Sequence, residues 1–138
     1  MNRDDLQDLA RERLRDAKAL LSKGRFLGAY YLSGYAVECA LKACIAKQTR
    51  RHDFPDKKAA NDSHVHDLLK LLGQAGLKTQ LEAKALSDKA FELNWSVVKD
   101  WTVEDRYNLA ISAAEARDLY SAIAAKKSGV MAWIRRNW

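Results

Sequence analysis

Four polar side chains recur at helical spacing inside an otherwise apolar run: Tyr31, Tyr35, Glu38 and Lys42, at i, i+4, i+7 and i+11. On a helix they fall on one face and form a single stripe. Glu38 and Lys42 stand in the acid-before-base i,i+4 order that favours pairing. If that helix is mostly buried, an unpaired Glu38 costs several kcal/mol, so it needs partners. The side chains long enough to serve are Lys42, Arg106 and His66. One use for such a group is structural, an internal ion pair that orders the fold. The other is chemical, a polar cleft in which Glu38 orients an arginine or histidine that handles phosphate.

Other candidate chemistry is sparse. The three histidines are His52, His64 and His66. His64 and His66 are two apart, pointing about 200° away from each other on a helix, and no cysteine or carboxylate pattern completes a zinc site around them. Cys39 and Cys44 are five apart, about 140° around a helix, so they neither bridge each other nor share a metal. They read as buried, reduced, small apolar residues. No phosphate loop, dinucleotide fingerprint or nucleophile elbow is present. No metal and no cofactor is expected.

The formal charge of +6 is uneven. Lys42 to Lys58 holds six bases (Lys42, Lys47, Arg50, Arg51, Lys57, Lys58) against two acids, and Lys126 to Trp138 holds four bases and no acid. Two basic clusters in a near-neutral body suggest a polyanionic partner such as RNA, DNA or a nucleotide. Solvated bases that offset helix dipoles are the plainer explanation. The ending Trp133 to Trp138 interleaves aromatics with arginines, which suits stacking on bases. It equally suits a tryptophan closing the core beside solvated arginines.

These groups must be positioned by helices. With 138 residues, one proline and six glycines, the chain has too few turn residues for an all-β fold and enough length for one core in a single domain, residues 1–138. Helix 1 starts after Asn2, whose side chain can cap it together with Asp5, and ends at Gly24. A second helix, Phe26 to Gln48, follows after a very short turn and packs antiparallel to the first. It is apolar nearly all round and rich in small residues (Ala29, Ser33, Gly34, Ala36, Ala40, Ala43), which predicts burial on several sides. A membrane span is excluded, because Glu38 and Lys42 would each cost about 2.5–3.5 kcal/mol in a bilayer. No signal segment precedes it, so a cytoplasmic location is expected. A polar loop with Pro55 leads to a short helix capped by Asp62 or Ser63 and containing His66. A fourth helix runs from Lys78 to the mid-nineties. Trp95, Trp101 and Tyr107 anchor a less regular tether, and a fifth helix spans Ile111 to Arg135 with a kink at Gly129. The fold class is therefore all-α, an up-and-down bundle of about five helices with helix 2 central and largely buried.

The run Ala29 to Ile45, AYYLSGYAVECALKACI, followed by HDLLKLL from His66 to Leu72 and by Trp101, Arg106 and Tyr107, resembles the HEPN domains (higher-eukaryote and prokaryote nucleotide-binding). The core of that likeness is Ala36, Glu38, Leu41 and Lys42. The resemblance implies a helical bundle, frequently a homodimer. It implies nucleotide or RNA binding, a metal-independent ribonuclease of toxin–antitoxin or phage-defence systems, or a partner of a separately encoded minimal nucleotidyltransferase.

The nuclease members carry an Arg-x4–6-His motif, in which histidine moves a proton and arginine stabilises phosphate charge. Here no arginine precedes any histidine at that spacing, and no histidine follows Arg106. The variant with a tyrosine two residues after the histidine is missing too, since Leu68 stands two after His66. The expectation is a binding module that presents Lys42, Arg50, Arg51 and Arg106 to phosphate. A divergent ribonuclease using Arg106, His66 and Glu38 is the rival.

Overall fold

The computed structural model describes residues 1–48 and 66–138, and the described regular elements are all helical. Helix α1 (Arg3–Ser22) begins where Asn2 accepts the Asp5 amide at 2.8 Å and the Asp5 carboxylate accepts the Asn2 amide at 3.1 Å. This reciprocal cap satisfies two amides that a helix start otherwise leaves unpaired. At the other end Gly24 takes a φ of +73°, a conformation that costs glycine least, and Arg25 donates its amide to the Leu20 carbonyl at 2.9 Å. The chain thus reverses within three residues, and α2 (Phe26–Gln48) returns along α1.

Eleven residues of α2 are buried, most of them small, and the helix touches α1 and four later elements. Small side chains allow those neighbours to come close. At Gly34 the indole of Trp101 lies on the backbone itself, and a Cβ there would sit 2.2 Å from the ring. The buried Ser33 hydroxyl is satisfied within the helix, donating to the Ala29 carbonyl at 2.7 Å.

Helix α3 (Leu68–Gln74) starts later than the sequence suggests. Asp67 caps it, accepting the Leu69 and Lys70 amides at 2.9 and 3.2 Å, so His66 precedes the helix instead of lying within it. Asp62 and Ser63, the expected caps, lie outside the described residues. Gly76, at φ +70°, closes this segment, and the Gln48 side chain donates to the Ala75 carbonyl beside it.

Two helices expected to be continuous are each broken. The stretch from Lys78 divides into α4 (Lys78–Ser87) and α5 (Lys89–Val98) at Asp88, whose extended backbone lets its carboxylate cap the second helix through the Phe91 amide at 3.1 Å. The last stretch divides into α6 (Ala113–Ala124) and α7 (Val130–Arg135), where Ser128 takes a φ of +61°. A kink at Gly129 was expected; instead Gly129 starts a new helix, and a Cβ on it would lie 2.0 Å from the Ala125 carbonyl oxygen. The breaks lock together, with the Ser128 hydroxyl donating to Asp88 at 2.7 Å and Asn94 donating to the Ser128 carbonyl at 2.9 Å. Among the described residues the expected five helices become seven, α2 central among them, with a 3-10 turn (Val103–Tyr107) between α5 and α6.

The core runs from α2 to both ends of the chain. Phe91 meets Trp133 at 5.5 Å between ring centres, and Trp95 and Trp101 are buried as the sequence suggests. Tyr107 is not an anchor: it is 68% exposed, because it ends the 3-10 turn and packs on the neighbouring Arg106 guanidinium instead of the core. Trp133 closes the core while Arg135 and Arg136 face solvent, and Trp138 lies between the guanidiniums of Arg11 and Arg135. Among the described residues, no helix is long and apolar enough to cross a membrane.

Candidate functional site

The polar stripe on α2 divides into two ends. Glu38 and Tyr31 share a face but are about 10 Å apart along the axis, at 1.5 Å per residue. Each has gathered different partners.

At the Glu38 end the carboxylate is completely buried. Its Oε1 accepts from Lys42 Nζ at 2.9 Å and lies 2.6 Å from His66 Nδ1. A carboxylate only accepts, so Nδ1 is the donor in this contact and Nε2 is turned away from Glu38. The second oxygen, Oε2, has no hydrogen-bond partner among the described residues. Lys42 keeps 20% of its side chain in solvent and His66 keeps 51%. Helix geometry supplies Lys42, while His66 arrives because the Asp67 cap turns the preceding residue back over α2. Such a cluster is costly to break, since removing one partner strands a buried charge.

Between the two ends lie Tyr35 and Trp101. Tyr35 stacks on Tyr31 with centroids 6.0 Å apart, and Tyr31 in turn meets Trp101 at 5.9 Å. Burial, with the Cys39 side chain and the Glu38 charge nearby, pushes the Tyr35 hydroxyl up to about 12. Burial likewise raises the Cys39 and Cys44 thiols to about 11 each, so they stay protonated at neutral pH. Both cysteines are free. The Trp101 indole N–H is buried with no partner among the described residues.

At the Tyr31 end stands Arg106, delivered by the 3-10 turn. It does not reach Glu38, as the sequence allowed. Its guanidinium interacts with the Tyr31 side chain and then with that of Tyr107, both of which raise its pKa, and it lies 4.8 Å from the Tyr107 ring centre. No described carboxylate pairs with it. Asp105 next door is turned away, accepting the Thr102 amide at 2.8 Å. Arg106 and Tyr31 edge a recess of about 560 Å³ at the α1–α2 turn, with Leu20, Gly24, Arg25, Phe26, Leu27, Gly28 and Leu109 as the remaining lining. The first turn of α2 carries no acid of its own to offset the positive end of that helix.

Of the residues singled out in the sequence, Glu38, Lys42 and His66 converge, and Tyr31 and Arg106 converge separately. Arg50 and Arg51 lie outside the described residues, as do His52 and His64. No group of three metal-ligating side chains occurs among the described residues. Two features escaped sequence reasoning. The Trp101–Gly34 contact had one signal, a glycine in mid-helix. The recess with Arg25 and Phe26 had none, because it depends on how the turn folds.

A family model described as HEPN domain matches residues 4–133, nearly the whole chain. No curated protein and no solved structure matches it.

Proposed function

Because the chain belongs to the HEPN domain family, we propose that it is a nucleotide- or RNA-binding module that lacks the arginine–histidine nuclease pair and engages phosphate along the polar face of α2. The observation that carries this reading is the state of Arg106: exposed, stacked on the Tyr107 ring beside Tyr31, and unopposed by any described carboxylate. An arginine in that condition is available for two parallel hydrogen bonds to a phosphate. Lys42, farther along the face, is committed to the buried Glu38 and is left out of the phosphate contact. Arg50 and Arg51, outside the described residues, follow α2 in the sequence and add two positive charges to this chain's basic complement. In this reading the module works as a homodimer within a toxin–antitoxin or defence-type system, where a nucleotidyltransferase is a fitting partner.

Binding of a single-stranded RNA at several salt concentrations tests the proposal. Each neutralised phosphate contributes roughly 0.7 to the log–log slope for a single strand. Affinity should therefore fall steeply as salt rises. Salt-independent binding, or no binding to any RNA or nucleotide, sinks the reading.

One observation favours a second reading, a metal-independent ribonuclease. The 2.6 Å contact between Glu38 and His66 is the arrangement by which a carboxylate orients an imidazole as general base. In that mechanism Nε2 takes the proton of the ribose 2′-hydroxyl. Arg106 does not assist at the same point, since it stands at the Tyr31 end of the face beside Tyr107. Incubation of structured RNA with the purified protein and with His66→Ala separates the readings: cleavage lost in the variant supports the enzyme, and no cleavage by either supports the binding module.

A further inference from the structure

The recess at the α1–α2 turn has a composition that selects its occupant. Its lining is largely apolar, with Leu20, Leu27, Phe26 and Gly28 among the residues that form it. A side chain at Gly28 would press on Leu20, whose Cδ1 would lie 3.1 Å from its Cβ, so the floor stays open because this residue is glycine. Two arginines, Arg25 and Arg106, line it, and the guanidinium of a third, Arg117, lies 5.5 Å from the Phe26 ring centre. No carboxylate lines it. Its volume of about 560 Å³ falls inside the range of roughly 300–1,000 Å³ usual for small-molecule sites.

We infer that this recess binds a nucleoside monophosphate group, the base lying on the Leu20–Leu27–Phe26 surface and the phosphate between Arg25 and Arg106. A flat aromatic face suits the apolar floor and phenyl wall. Two unopposed guanidiniums suit a phosphate monoester, close to doubly charged at neutral pH, better than a singly charged carboxylate. The Arg106 guanidinium, 4.8 Å from the Tyr107 ring centre, lies beside the recess without a carboxylate partner. This inference rests on the nucleotide- or RNA-binding reading and gives it a location. The same group is presented by a free nucleotide and by the 5′-phosphorylated end of an RNA.

At 15.6 kDa the protein suits amide chemical-shift mapping. Titration with 5′-AMP should move the signals of Gly24, Gly28 and Leu109 most. Gly28→Met, which fills the floor with a flexible chain, and Arg106→Gln, which removes a charge at an exposed position, should each weaken 5′-AMP at least about tenfold, or 1.4 kcal/mol, with melting temperature confirming a folded protein. Paired RNA octamers, one 5′-phosphorylated and one not, identify the source. A preference for the phosphorylated octamer that Gly28→Met abolishes assigns the site to RNA ends, whereas equal octamer binding alongside AMP binding at the recess assigns it to free nucleotide. If RNA binds with steep salt dependence but 5′-AMP moves no recess signal, or both variants bind 5′-AMP as the wild type does, the recess assignment is overturned and the broader reading stands. If neither RNA nor nucleotide binds, both fall.

Discussion

Glu38 and Arg106 belong to opposite ends of one helix face and face opposite physical demands. Glu38 is fully buried, so its charge must be answered inside the protein, and Lys42 and His66 are drawn in to do so. Arg106 is exposed and needs no internal counterion; tyrosines position it and leave its charge intact. The difference teaches that charge on this face has two uses. At the Glu38 end it stabilises the fold, and at the Tyr31 end it remains available to a ligand.

The sharpest way to break that comparison is by stability. Gly34→Ala, midway between the ends, drives a methyl into the Trp101 ring and should cost about 3 kcal/mol or more in urea unfolding. A near-neutral result would mean that the ring is free to move off α2. Lys42→Met should cost about 2–4 kcal/mol, because Glu38 loses a partner while buried; the lower end reflects the part of Lys42 that reaches solvent. Arg106→Gln, by contrast, should leave the urea midpoint essentially where it is, as exposed substitutions do. Equal losses at Lys42 and Arg106 would erase the distinction between the two ends.

A smaller effect appears only in alkali. The Cys39 and Cys44 thiols are raised from 9.0 to about 11 by burial, so the folded state holds their protons more tightly than the unfolded chain. That contribution is fully present below pH 9 and is lost as pH rises toward 11. Urea midpoints should decline across that window, and a Cys39→Ala/Cys44→Ala variant should show a shallower decline. Identical pH profiles would mean that the thiols are not the groups responsible.

Much of this architecture was legible in the residues. The Asn2–Asp5 cap, the Gly24 stop and the full extent of α2 follow from local chemistry, since caps and left-handed glycines act within a few residues. The breaks at Asp88 and Ser128 were not legible, because they depend on a hydrogen bond between residues forty apart in sequence. His66 and Lys42 were named as candidates for Glu38 by reach and charge alone. Arg106 was named on the same grounds and went elsewhere, because its position is set by the 3-10 turn, whose path no periodicity encodes. The Arg25–Phe26 recess is likewise a product of the tight α1–α2 reversal and has no one-dimensional pattern.

The central claim is that polyanion binding depends on the free guanidinium of Arg106. The most direct measurement is the salt dependence of single-stranded RNA affinity for the wild type and for Arg106→Gln. The wild type should show a steep negative log–log slope, reduced in magnitude by about 0.7 in the variant, the loss expected for one phosphate contact. Indistinguishable slopes and affinities for the two proteins would contradict it.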